Sequence, residues 1–427
     1  MKIKLIPKSY KEVINMPEEA KFKPKRPNIF FRCLLKIVSM PDLIATKFKC
    51  NKIDMDKLGK REPALFLMNH SSFIDLEIAA NILFPRAFNI VATTDSFVGK
   101  AWLMRQIGCI PTKKFVSDLS LVRQMKHILG KQHSSVVMFP EAGYSLDGTA
   151  TVLPESLGGC LKLLGVPVVM VRTYGAFTRD PLYNGLQRRK VKVSADMKYL
   201  LSPEQINDMS ADELNTLINK EFTIDNFAWQ QDNKISVSEN FRADFLNRTL
   251  YKCPHCSAES EMEGKGTTIT CRACTASYEL DEYGSLKALN CEGRFTHVPS
   301  WYAWQRECVR KEVEDGTYFF ESPVRICMSV DIKHIYEVGK GILKHGKEGF
   351  HLVGCDGELD YSQKPQATYS VCSDFNWYEI GDVICIGNSK ALYYCFPEIK
   401  GDYVAKVRIA AEEMYKLYRS AKKDQKD

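Results

Sequence analysis

A histidine and an aspartate five residues apart, His70 and Asp75 in the run NHSSFID (Asn69–Asp75), carry the chemistry most readily read from this chain. At neutral pH a histidine can take the proton from a hydroxyl. A carboxylate on its other ring nitrogen fixes the tautomer and stabilises the imidazolium. On one continuous helix the pair would lie about 140° apart, at 3.6 residues per turn. His70 is therefore expected in a loop before a helix, with Asp75 reaching back from the first turn. The same residues allow a structural use of the carboxylate. Ser72-Phe73-Ile74-Asp75 fits a capping box, with Ser72 as N-cap and Asp75 at the third helical position.

The second chemical pattern is Cys253-Pro254-His255-Cys256 followed by Cys271-Arg272-Ala273-Cys274, with 14 residues between the pairs. Two such knuckles supply four thiolates, a closed tetrahedral set suited to structural rather than catalytic zinc. The intervening GKGTTIT suits a hairpin. His255 is a candidate ligand by type, but the four cysteines already complete the coordination.

The elements that must hold these residues follow from hydrophobic patterning. Apolar runs at Ala64–Met68, Asn89–Ala92, Ser135–Phe139 and Pro167–Val171 alternate with helical stretches at Asp75–Leu83, Ser117–Leu129 and Glu155–Leu164. This predicts an α/β domain, a buried sheet flanked by helices, over residues 56–240. Residues 202–232 read as helices, with N-cap starts at Ser202-Pro203-Glu204 and at Ser210 with Glu213. A zinc ribbon occupies 241–286. Residues 287–427 form a β-rich accessory domain, with strands expected at Val324–Val330, Gly349–Val353, Ala367–Val371, Val383–Gly387 and Ala391–Phe396, and a closing helix over Val404–Tyr418. Strands followed by one helix resemble a pleckstrin-homology-like fold.

The N-terminal segment, 1–55, carries the charge. Its first 50 residues hold twelve Lys+Arg against four Asp+Glu, a net +8 that matches the +7 excess of the whole chain. Such a patch seeks anionic partners. From Asn28 the stretch NIFFRCLLKIVSMPDLIATKF is too interrupted to span a bilayer, with Arg32, Lys36 and Asp42 inside it and Pro41 expected to break it. As a helix it places Phe31, Leu34, Leu35 and Val38 on one stripe and Arg32 and Lys36 on another face. This predicts a helix lying in a membrane interface, and a peripheral protein without a transmembrane helix. Fifteen cysteines, an odd count, and no apolar stretch in MKIKLIPKSYKEV predict a reducing, cytoplasmic compartment.

Four blocks in order give NHSSFID a family context. NHSSFID resembles the NHxxxxD motif of the glycerolipid acyltransferases, the group that contains the lysophosphatidate acyltransferases. GCIPTKK (Gly108–Lys114), FPEAGYS (Phe139–Ser145) and VPVVMV (Val166–Val171) resemble the second, third and fourth motifs. The resemblance covers roughly residues 28–230. It implies His70 as general base, Asp75 as its partner, and a substrate site including Asn69, Lys113, Lys114, Glu141, Ser145 and Pro167. Glu141 would help organise the acceptor pocket, Lys114 would meet an acceptor phosphate, and Pro167 would line the wall near the acyl donor. Gly143 and Tyr144 replace the family's Thr-Arg pair, so one expected cation is missing.

The implied activity is 1-acylglycerol-3-phosphate O-acyltransferase, in phospholipid biosynthesis. An acyl group would pass from acyl-CoA or acyl carrier protein to a lysophospholipid hydroxyl among membrane lipids. One alternative is a different lipid or lysophospholipid acceptor. Another is a zinc-ribbon nucleic-acid-binding protein, which leaves the four motifs unexplained. Glu259, Glu261 and Glu263 also deny the ribbon the basic surface that nucleic acid needs.

Overall fold

The protein is described by a computed structural model over residues 3–17, 22–116 and 118–424. Lys2, Glu18, Glu19 and Lys21 of the basic segment, and Ser117 at an expected helix start, lie outside the described residues.

The first helix of the catalytic half is α1 (Ile29–Ala45), begun by the Asn28 side chain accepting from the Phe31 N–H at 3.1 Å. Around it the chain lays down β1 (Lys49–Ile53), β2 (Leu65–Met68), α2 (Ile74–Ile82), β3 (Phe88–Thr93) and β4 (Cys109–Thr112). There follow α3 (Leu119–Gly130), β5 (Ser135–Met138), α4 (Leu157–Leu164), β6 (Val168–Tyr174) and β7 (Ser194–Leu201). The sheet order is β1-β7-β6-β2-β5-β3-β4, parallel except between β6 and β7. Strand β2, LFLM, is buried throughout, as a central parallel strand with covered faces must be. Its side chains alternate: Phe66 and Met68 join one core with Leu43, Ile74 and Ile78, while Leu65 and Leu67 join another with Ile128, Leu157 and Leu161. The expected sheet between helical layers is present.

Residues 1–55 are divided between two places. Leu5–Pro7 pairs with a strand of the C-terminal sheet, whereas α1 packs on the catalytic half and β1 joins its sheet. The stripe expected on α1 is also divided. Phe31, Leu35 and Leu43 turn inward, while Phe30, Ile37, Val38 and Ile44 are exposed on the opposite side. Pro41 does not break the helix; it sits exposed on the outer face, where water can take the carbonyl its missing N–H leaves unpaired.

The cysteine unit is a four-stranded antiparallel sheet: β8 (Met262–Lys265), β9 (Thr268–Cys271), β10 (Ser277–Leu280) and β11 (Leu286–Ala288). Strands β8 and β9 form the expected hairpin. Helix α5 (Val298–Glu314) leads to β12 (Phe320–Ser329), β13 (Ile335–Gly346), β14 (Gly349–Gly354) and β15 (Leu359–Gln363). The chain ends with β16 (Cys372–Trp377), β17 (Gly381–Gly387), β18 (Leu392–Pro397) and α6 (Val404–Asp424). The order β15-β14-β13-β12-β18-β17-β16 joins four strands to three across β12 and β18.

Ala367–Val371 is not the expected strand. A 3-10 turn at Pro365–Ala367 ends there, and the Ser370 hydroxyl donates to Glu412 of α6 at 2.8 Å, so the segment docks the helix instead. Strand β13 escaped notice because GKGILKHG reads as turns. Its Gly341 is needed for closeness, since a Cβ there would lie 2.3 Å from the Val353 carbonyl oxygen. Ribbon, α5, β-rich unit and α6 share one continuous core, which reaches the catalytic half through Leu146, Phe177 and Tyr183.

Candidate active site

At the C-terminal end of β2 the chain turns into the site. Asn69 is buried and bolts β2 to β6: its Oδ1 accepts from the Thr173 N–H at 2.7 Å and hydroxyl at 3.2 Å, and its Nδ2 donates to the Thr173 carbonyl at 3.2 Å. His70 follows in the loop, with its side chain 24% exposed, and Asp75 lies fully buried in the first turn of α2.

His70 Nδ1 is 3.1 Å from Asp75 Oδ2. The same oxygen accepts the Ser71 N–H at 2.7 Å and the Ser72 N–H at 3.0 Å, and the Thr173 hydroxyl donates to Oδ1 at 3.3 Å. A carboxylate only accepts, so Nδ1 carries the proton and Nε2 keeps a lone pair for an incoming hydroxyl. The two uses of Asp75 coexist in part. It takes backbone N–H groups before the helix, but α2 starts at Ile74 with Phe73 at the N-cap and no side-chain cap, so Ser72 does not close a capping box.

Glu141 fastens the loop from the other side. Its Oε2 accepts the His70 N–H at 2.7 Å and its Oε1 the Thr151 N–H at 2.9 Å. Burial pushes its carboxyl up to about 7, against those two N–H bonds. The left-handed backbone of Ala142 turns the chain so that Phe139 and Tyr144 both meet the His70 ring, at 4.3 and 4.5 Å between centroids. Tyr144, where the family has a cation, is thus a wall of the imidazole pocket.

Lys113 and Lys114 follow directly on β4. The Lys113 ammonium donates to the Ser389 carbonyl of the β17–β18 loop. Lys114 is half-buried facing Asp95 and Asp374 beside the Cys372 and Cys385 thiols; burial lowers its pKa, and these neighbours outweigh that and raise it. Asp374 is itself pushed up to about 6 by burial, opposed by Lys114. The β-rich unit therefore covers the second and third motifs. Tyr369 packs on Phe115 at 5.3 Å, and Arg408 of α6 donates to the Tyr144 carbonyl at 3.3 Å while paired with Glu412.

Two expected site residues stand elsewhere. Ser145 is buried inside its own turn, donating to the Thr149 carbonyl at 2.6 Å and accepting the Gly148 N–H at 2.9 Å, so it shapes the loop. Pro167 precedes β6, and its carbonyl takes the Leu65 N–H at the start of β2. It is at the far end of parallel strands whose other ends carry His70 and Thr173, roughly 20 Å away at 3.3 Å per residue. Motif order alone could not reveal Thr173, Asp95 or Asp374 as neighbours; the pairing of Met68 with Val171 brings Thr173 in.

In the ribbon, the four Sγ atoms of Cys253, Cys256, Cys271 and Cys274 lie within 4.8 Å of one another, with Cys253–Cys274 at 3.6 Å and Cys256–Cys271 at 3.7 Å. Four thiolates 2.3 Å from a tetrahedral metal would be about 3.8 Å apart, so the set fits an ion of that kind. His255 is turned away to Tyr278, Nε2 to hydroxyl 2.8 Å.

Residues 49–172 match the family model described as Acyltransferase, and all four motifs fall inside that stretch. This stretch is an acyltransferase domain, and its four blocks resemble, in order, the motifs of the glycerolipid acyltransferases. A comparison with curated proteins gives no match. Among solved structures the chain is similar to the 1-acyl-sn-glycerophosphate (LPA) acyltransferase PlsC from Thermotoga maritima, at 16% identity and a TM-score of 0.36, over 45% of this chain and 76% of that one. So distant a likeness says nothing of the acceptor here. Among the described residues, no helix is long and apolar enough to cross a membrane.

Proposed function

We propose that this enzyme moves an acyl group from the thioester of acyl-CoA or acyl carrier protein to the hydroxyl of a lysophospholipid, 1-acylglycerol 3-phosphate first among the acceptors. The observation that carries the reading is the His70–Asp75 contact, with Nδ1 protonated and Nε2 free to act. Nε2 takes the acceptor's proton as its oxygen attacks the thioester carbonyl. The C–S bond breaks as the tetrahedral intermediate collapses, and the imidazolium returns the proton to the departing thiolate. Asp75 steadies the charge on the ring, while Phe139 and Tyr144 hold its plane.

Work at the cytoplasmic face of a membrane is supported by the apolar outer side of α1, with Phe73 beside His70 in sequence and Trp102, packed on Phe31 of α1, also exposed. The ribbon holds one structural zinc through its four cysteines and takes no part in the transfer. The β-rich unit is pleckstrin-homology-like in having seven of its own strands closed by α6.

A second reading, a lipid hydroxyl without a phosphate monoester, is favoured by one observation. Lys114 already faces Asp95 and Asp374, so a doubly charged phosphate would meet as much repulsion as attraction there. The deciding experiment compares lysophosphatidate with monoacylglycerol as acceptors for wild type and His70→Ala. Preference for lysophosphatidate, lost with His70, supports the first reading. Equal use of both transfers the function to the second. Turnover undiminished in His70→Ala would overturn both.

A further inference from the structure

A strongly basic hollow lies away from the His70 loop. A cavity of about 990 Å³ opens at the end of the sheet where β2 and β5 begin and Ala87 leads into β3. The four residues of β2 separate it from His70 by about 13 Å at 3.3 Å per residue. Arg26, Arg32, Lys52, Lys60, Arg61 and Arg86 line it, and among the described residues no acidic one does. Its floor is apolar, with Phe66, Leu83 and Met197.

None of the six cations is in an ion pair among the described residues. Arg32 and Arg86 are steered by carbonyls: Arg32 donates to Asn28 at 3.3 Å and to Pro85, and Arg86 to Gly59 at 2.9 Å and to Glu62. The Glu62 carboxylate, the nearest acid to Arg86, is occupied by the Gly59 N–H at 2.9 Å. Burial and the neighbouring Arg26 lower the pKa of Arg32, while Glu62 acts on Arg86. Arg26, Lys52, Lys60 and Arg61 are exposed and can close on a guest.

We propose that this cavity binds the phosphate-bearing headgroup of an anionic membrane lipid, whose acyl chains lie along the apolar outer face of α1. Helix α1 takes part in both surfaces through Arg32 and its outer apolar residues. Arg32 points into the cavity from this helix, whose far side exposes Phe30, Ile37, Val38 and Ile44, a face with no use for a free phosphate ion. Phosphate held by several cations beside an apolar path is the chemistry of a phospholipid at an interface. The inference rests on the membrane reading above and adds to it a defined headgroup site remote from catalysis.

The test is sedimentation of the full chain with vesicles of phosphatidylcholine alone or mixed with phosphatidylglycerol, at about 0.15 M salt. Lys60→Glu/Arg61→Glu changes the cavity at exposed positions; Ile37→Ser/Val38→Ser changes the apolar face; Lys234→Glu is a remote charge control. Wild type should prefer the anionic vesicles. Lys60→Glu/Arg61→Glu should lose at least about tenfold of that binding, from roughly 1 kcal/mol per basic residue near the surface, while keeping its weak binding to neutral vesicles. Ile37→Ser/Val38→Ser should lose both.

Equal wild-type binding to the two vesicles, or a loss in Lys60→Glu/Arg61→Glu no larger than in Lys234→Glu, overturns the headgroup site and leaves the membrane reading standing. No wild-type binding to either overturns both. Inorganic phosphate or coenzyme A protecting Lys60 from acetylation where anionic vesicles do not would assign the cavity to a soluble phosphate and overturn the lipid.

Discussion

The ribbon and the catalytic loop are both built from short, polar, chemistry-bearing motifs, yet they depend on the fold in opposite ways. In the ribbon, two knuckles on a hairpin bring four thiols together, and Cys253 and Cys271 are part of the hydrophobic core itself. In the catalytic loop, His70 is held by Asp75 from the next helix, by Glu141 from a loop 71 residues on, and indirectly by Thr173 through Asn69 and Asp75. The first arrangement is anchored in the core through two of its thiols, although Cys256 is exposed. The second keeps one partly exposed imidazole in place with carboxylates whose burial is costly to stability. Loss of a ligand in the ribbon should therefore cost folding, and loss of His70 should cost turnover.

Removing the metal is expected to have the largest energetic effect. Zinc binding supplies on the order of 10 kcal/mol to small units of this kind, so Cys253→Ser or chelation should unfold the ribbon and lower the melting temperature of the whole chain by roughly 10 °C. Metal analysis of reduced protein should find one ion per chain; protein that lacks it yet melts unchanged would erase the contrast between the regions. Next comes His70→Ala, with a loss of ~10²–10⁴ in turnover and little change in melting temperature, since the ring sits partly exposed in a loop. Asp75→Asn should fall in the same range, because an amide at that position can leave the imidazole in the wrong tautomer. A collapse in stability with activity per folded molecule intact would instead make Asp75 a structural residue like the cysteines.

Glu141 sharpens the comparison through pH. Its folded carboxyl is raised to about 7 from an unfolded value of 4.5, so the native state binds the extra proton. Its contribution is fully present below 4.5 and is lost as pH rises through 7, worth up to about 3 kcal/mol. Wild-type stability should fall over that window, and Glu141→Ala should flatten the slope; an unchanged slope in the variant assigns it to other carboxyls. The smallest effect belongs to Lys114. Lys114→Ala should raise KM for lysophosphatidate by roughly tenfold with kcat retained, the mark of a contact shared by ground and transition states. Asp374→Asn, which removes an opposing charge, should lower it. No movement in either variant would take the phosphate contact away from this loop.

What could be read in advance tracks the range of the interactions. Four thiols in two knuckles, the strand before NHSSFID and the helix after it are set by residues within a few positions of one another, and periodicity records them. Strand β13 was hidden because its glycines serve a neighbouring strand rather than a turn. The place of Ser145 in a motif carries no information on whether its hydroxyl points out or closes its own loop, as this one does. For Pro167, adjacency of motifs in sequence does not tell which end of a strand each occupies.

The sequence by itself determined the chemical types: an imidazole with a carboxylate five residues on, a four-thiol metal set, and an N-terminal helix rich in apolar side chains beside basic ones. Those follow from local spacing and from what each side chain can donate, accept or bury. Only the tertiary structure decided which groups share a volume. It brought Thr173 and Glu141 to the His70 loop, set Asp374 and Asp95 against Lys114, and turned one face of α1 inward and the other out. The reason is that parallel strand register and the docking of the β-rich unit act across long separations in sequence, where burial and charge pair residues that no local pattern connects.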